Sequence, residues 1–198
     1  MQLALEMGLF RRKDTAGRRI RRLQKKPRRY IRCIGRYEIT RNQNLHFLFA
    51  AIDAEIKADN LDHEIGVSRL MAKYYPYCEW LTRLYDVDPS LRPDATFRMA
   101  DATFHLEFYN TESQTRSQIS GHMRRYEGTN EAVLIVCRTA KRMKAVREAI
   151  PESVRPLCAF AIFEEVLKSP FGKVWWSYDG EAFAVPKGVL HPAHKYVS

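Results

Sequence analysis

The sequence has little of several residues that would make a quick explanation easy. Its 198 residues hold four cysteines, Cys33, Cys78, Cys137 and Cys158, and no two lie close together. That scatter excludes the paired thiols of a zinc cluster and the dense bridges of a small secreted scaffold. It fits a chain kept in a reducing cytosol, so a cytoplasmic location is expected. No apolar run approaches the ~20 residues a membrane helix requires, and no membrane partner is expected. The opening MQLALEMGLFRRK has Glu6 inside its short apolar part and its bases after it. A secretory leader has the reverse layout. His191 and His194 stand three apart, without an acid or thiol nearby to complete a metal set.

Acidic residues are scarce in one region only. The chain carries 33 Lys and Arg against 23 Asp and Glu, a net charge of +10. Residues 1–44 hold 14 of the bases and only 3 of the acids, Glu6, Asp14 and Glu38, so they contain the whole excess. A charge concentrated this way calls for a polyanion, and DNA is the expected partner. Within DTAGRRIRRLQKKPRRYIRCIGRYEIT, Asp14 or Thr15 can cap a helix that Pro27 ends. Only Ile20 and Leu23 are large and apolar on it, too narrow a stripe for a membrane-surface helix. Arg18, Arg19, Arg21, Arg22, Lys25 and Lys26 are left for phosphates, with Arg28, Arg29 and Arg36 following. Two β-like runs, Tyr30 to Ile34 and Tyr37 to Thr40, flank a turn at Gly35-Arg36. A basic helix followed by a basic hairpin has the layout of a recognition helix and wing. Too few residues precede it for a complete winged helix. Leu3, Leu5, Leu9 and Phe10 then lack intrachain partners, and a homodimer is expected to cover them.

Residues 45–198 read as an α/β domain. Leu45, Leu48, Phe49, Ile52 and Ile56 recur at helical spacing, and Leu61, Ile65, Leu70 and Met71 mark a second helix. A short strand is expected near 78–85, then strands 95–99 and 103–109 joined at Ala100-Asp101. Thr111-Glu112-Ser113-Gln114 has capping-box spacing for the next helix. AVLIVC at 132–137 is a buried strand, 140–149 a helix, 157–163 another strand, and VWWSYDGEAFAVP a hairpin turning at Asp179-Gly180.

Helix, three-stranded meander, helix, strand is the core order of the PD-(D/E)XK nuclease-like superfamily, and Pro93-Asp94 and Glu107 stand where that superfamily carries its acids. The closer resemblance is to the replication-relaxation family of plasmids and mobile elements. Its carriers here are GRYEIT, DHEIGVSRLM, RPDATFRM and FHLEFYNTESQTRSQISGHMRRY, in that order across most of residues 15–137. The resemblance implies a truncated winged-helix segment at 1–44 and, at 45–198, a nuclease-like mixed sheet flanked by helices. It also implies Mg²⁺ held by Asp94, Glu107 and the main-chain carbonyl of Phe108, with Glu64 as a looser first-helix acid. The chain departs from the pattern two residues after Glu107, where Tyr109 replaces the expected lysine. Arg116, on the following helix, is the candidate to supply that charge to a phosphate, although it cannot act as a base.

Two readings of the acids follow. In one, Asp94 and Glu107 bind a divalent ion that activates water to cut DNA. In the other, Glu107 pairs with Arg92, Arg98 or Arg116, and the domain is the inactive scaffold of a DNA-binding regulator or replication accessory factor. His63 reads as a cap or packing residue. His105 alternates away from the core.

Overall fold

The computed structural model describes residues 31–38, 45–51, 61–78, 80–82 and 90–188, with side chains for 61–78 and 90–188. They fall in two compact units. One contains a two-stranded hairpin, and the other begins at Asp62.

In the first unit β1 (Ile31–Glu38) pairs antiparallel with β2 (Leu45–Ala51), with a register irregularity between Cys33 and Gly35. This corrects two expectations. The chain does not turn at Gly35-Arg36 but runs through it as strand, with Arg36 opposite Phe47. Residues 45–51 are strand rather than helix. LHFLFAA is short and apolar throughout, so periods of 2 and 3.6 describe it equally well, and pairing with β1 decides. The basic stretch holding Arg18, Arg19, Arg21, Arg22, Lys25, Lys26, Arg28 and Arg29 lies outside the described residues. So do Leu3, Leu5, Leu9, Phe10, His191 and His194.

The second unit is a mixed α/β layer structure. Its elements are α1 (Leu61–Tyr74), β3 (Trp80–Thr82), β4 (Ala95–Met99), β5 (Ala102–Tyr109), α2 (Arg116–Met123), β6 (Ala132–Cys137), α3 (Ala140–Ala149), β7 (Cys158–Ile162), α4 (Phe163–Lys168), β8 (Trp175–Ser177) and β9 (Ala182–Phe183). The seven strands are ordered β3-β4-β5-β6-β7-β8-β9. β5, β6 and β7 are parallel, and the remaining pairs are antiparallel. Parallel neighbours require crossovers, which α2 and α3 supply.

Both faces of the sheet are covered. Phe104, Leu106 and Phe108 of β5 pack with Val67, Leu70 and Tyr74 of α1 and with Phe163 and Val166 of α4. Tyr109 of β5 packs on the other face with Ile119 and Met123 of α2 and Val146 of α3. His105 therefore alternates away from one core and into another, and is 1% exposed. Its ring nitrogens contact Thr96 Oγ1 at 3.1 Å and Glu131 Oε2 at 2.6 Å. A buried polar ring is tolerated when both ends are satisfied in this way.

Local sequence explains the joints. β4 and β5 meet at Ala100 and Asp101, both with positive φ, 51° and 61°. Two consecutive left-handed residues match the right-handed twist of a tight hairpin. The expected Thr111 box does not start α2. The cap is Thr115, whose hydroxyl accepts from Gln118 N while Gln118 Oε1 accepts from Thr115 N. The same box chemistry one turn later is followed directly by the buried Ile119, which selects the start.

Candidate functional site

Asp94 lies at the head of β4. Its main-chain N–H donates at 3.0 Å to the carbonyl of Leu106, the residue already paired with Ala95, so Asp94 and Ala95 both oppose Leu106 and the regular β4–β5 register stops at Ala95. Asp94 and Glu107 both stand near one end of the β4–β5 pair.

Their carboxylates are held by different elements. Asp94 Oδ2 accepts the Phe108 N–H at 2.8 Å, and its Oδ1 lies 2.8 Å from His63 Nε2 on α1. The Asp94 side chain thus takes the place of the next ladder carbonyl at the edge of the sheet. Glu107 projects toward α2. The Tyr126 hydroxyl, in the tight turn of 3₁₀ helix that follows α2, donates to Glu107 Oε1. His122 Nε2 lies 3.1 Å from the same oxygen, at ion-pair distance but out of line for a hydrogen bond. Glu107 is 2% exposed and Tyr126 is fully buried. A carboxylate this deep persists only with such partners.

The surrounding phenols stay protonated. Burial, and then the negative charge of Glu107, push the Tyr126 hydroxyl far above its usual range. Tyr109 is raised by the same two causes in the same order, with Asp94 adding to them and Arg142 opposing. Its hydroxyl is buried without a hydrogen-bond partner. The Arg142 guanidinium carbon lies 5.5 Å from the centre of the Tyr109 ring, and the group donates to the main-chain and side-chain oxygens of Gln114 at 3.2 and 3.1 Å. Arg142 is 3% exposed, the buried cation of this face. Sequence reading missed it, because a base within AKRMKAVREA looks like any solvated helix charge. Its offset of three from Thr139, whose hydroxyl caps α3 by accepting the Arg142 N–H, was the available signal.

Arg116, the expected cation, is not gathered at the acids. Arg116 is exposed and lines an open cleft of about 640 Å³ with Ser120, Glu148, Glu152 and Arg155. Six residues of helix, about 9 Å of rise, separate it from His122. Glu64 is half-buried in the first turn of α1. Its neighbour His63 reaches Asp94.

Mg²⁺ is what the resemblance implies here, and the residues can be tested against it. The donors are hard oxygens, and Phe108 turns its N–H, and so its carbonyl, toward the Asp94 edge. Against this, both oxygens of Asp94 and one of Glu107 are already engaged, and Tyr109 brings no positive charge. Among the described residues no three His, Cys, Asp or Glu side chains converge in a metal-binding group. The set as held fits a hydrogen-bonded lock between β5 and the α2 segment better than a metal cage. Compared with known protein families, with curated proteins and with solved structures, the chain matches none.

Proposed function

We propose that this is a DNA-binding protein of a plasmid, phage or other mobile element, of replication-relaxation type, whose nuclease-like domain is a scaffold and not a catalyst. The observation that carries the scaffold reading is Glu107. Its carboxylate is buried, bound by Tyr126 and paired with His122, and the residue two positions on is a phenol where a catalytic cation belongs. DNA binding rests on the charge of residues 1–44. Phosphate neutralisation by such a segment releases counterions, so affinity falls steeply with salt. A homodimer would present two basic segments to two half-sites.

The second reading, Mg²⁺-dependent cutting of DNA with Asp94, Glu107 and the Phe108 carbonyl as ligands, is favoured by one feature, the position of both acids near one end of the β4–β5 pair, where the Phe108 N–H donates to Asp94. One experiment separates the two. Purified protein is incubated with supercoiled and linear DNA in Mg²⁺, in Mn²⁺ and in EDTA. The scaffold reading expects retarded, uncut DNA in all three. Cutting that requires the metal and vanishes in Asp94→Ala and Glu107→Ala would overturn it. Deleting residues 1–41 should weaken binding by orders of magnitude and flatten its salt dependence. An unchanged slope would remove the basic segment from the reading.

A further inference from the structure

Arg69 lies on α1 and Arg138 immediately follows β6, yet they meet over one ring. Their guanidinium carbons are 5.4 and 5.1 Å from the centre of Phe163, the first residue of α4. Phe163 is fully buried and stacks on Phe108 at 4.9 Å. Arg138 is exposed and Arg69 half-exposed. Among the described residues no carboxylate lies within ion-pair distance of either. Glu164 and Glu165, next along the chain from the ring, are exposed and form no ion pair with them. Two like charges over one apolar ring, with no acid at ion-pair distance, form a site of positive potential that an anion relieves. Guanidinium groups with their donors free are suited to phosphate oxygens.

The location agrees. Tyr109, Cys137 and Ile162 end the parallel strands β5, β6 and β7 at one edge of the sheet. Arg138 N is anchored there to the Tyr109 carbonyl at 3.1 Å. In open α/β sheets, ligands are received at the carboxyl ends of parallel strands. Asp94 is on the same edge, since Phe108, which stacks on Phe163, also donates its N–H to Asp94.

We propose that Arg69 and Arg138 form a phosphate clamp that grips the DNA backbone at this edge, a second contact beyond the basic segment. The identity of the ligand rests on the DNA-binding reading, but the existence of an anion site does not. Aromatic platforms hold the guanidinium planes in place, so less side-chain freedom is lost on binding than at a solvated pair.

The test uses the full chain with three variants, Arg69→Gln/Arg138→Gln, Arg69→Lys/Arg138→Lys, and Lys141→Gln/Lys144→Gln as an exposed-charge control. Binding of a short duplex is measured across a salt series. In parallel, the thermal midpoint is measured with sodium pyrophosphate and with chloride of equal ionic strength. The glutamine pair should lose about tenfold or more in affinity at 0.1 M salt and flatten the log–log slope by about two, one for each phosphate contact. The lysine pair should restore most of the slope, and the control should keep it. An undiminished slope in the glutamine pair, with its thermal midpoint near that of the parent chain, overturns the clamp. If the parent chain binds no duplex, the DNA reading fails, and the pyrophosphate arm then decides. A midpoint rise specific to pyrophosphate and lost in the glutamine pair keeps the anion site, with a free phosphate ester as its ligand. No such rise overturns it.

Discussion

Tyr126→Phe removes one oxygen from a fully buried ring and leaves the packing shape unchanged. The oxygen it removes is the donor to Glu107, whose carboxylate is itself 2% exposed. Hydrogen bonds to a charged partner contribute about 1.5–3 kcal/mol, and an acceptor left buried without one bears its desolvation penalty. His122, 3.1 Å from the same oxygen, softens the loss without replacing the missing alignment. The expected destabilisation is about 2 kcal/mol, or a drop of about 4–8 °C in thermal midpoint for a chain of this size. Circular dichroism during heating and urea unfolding would read it. The companion Glu107→Gln keeps an oxygen that can accept from Tyr126 but discards the charge. In the double variant, the pair should show a coupling of about 1 kcal/mol or more. A Tyr126→Phe protein within about 0.5 kcal/mol of the parent, or strictly additive variants, would refute the view of Glu107 as a structural lock.

Gly66→Ala should destabilise the protein although it lies mid-helix. Alanine ordinarily gains up to ~1 kcal/mol there, but a Cβ at Gly66 would overlap the ring of Phe108, which α1 and Phe163 hold in place. Overpacking of ~1–3 kcal/mol should win, as denaturant titration would show. Asp101→Gly should stabilise by about 0.5–1 kcal/mol, because position 101 has φ 61° in a tight hairpin where glycine is unstrained; a fall in thermal midpoint would contradict it. Burial raises the thiols of Cys137 and Cys158 from 9.0 to about 12. The folded state then holds protons that the unfolded chain releases, so their contribution to stability is present below about pH 9 and is lost as pH rises toward 12. Urea midpoints taken from pH 8 to 11 should fall, and less steeply in Cys137→Ala/Cys158→Ala; parallel curves would remove the thiols from the account.

Much of the second unit was legible because its signals are local. AVLIVC is apolar throughout and half β-branched, which favours a buried strand over a helix. AKRMKAVREA has a Thr cap before it and an apolar stripe within it. Asp179-Gly180 marks its own turn, where Gly180 takes φ 93°. Alternation along 103–109 placed Glu107 opposite in facing to Phe104, Leu106 and Phe108, and the cores on the two sides of the sheet bear that out. Residues 45–51 failed for the converse reason. A short, wholly apolar run carries no period of its own, and only its pairing with β1 makes it a strand.

The partners of the acids were beyond the sequence. His63 is 31 residues from Asp94, Tyr126 is 19 from Glu107, and Arg69 and Arg138 share a ring that belongs to a third segment. Composition can announce that a carboxylate between aromatics must be satisfied, since burial without a partner is unfavourable. It cannot name the partner, because many residues of the right type exist along the chain. Which of them arrives is decided by the crossovers that lay α1 on one face of the sheet and α2 on the other. Charge segregation in residues 1–44 and the alternation of β5 are properties of neighbours in the chain, and the sequence determines them alone. The Glu107 lock and the arginine pair depend on distances closed by packing, and only the tertiary structure decides those.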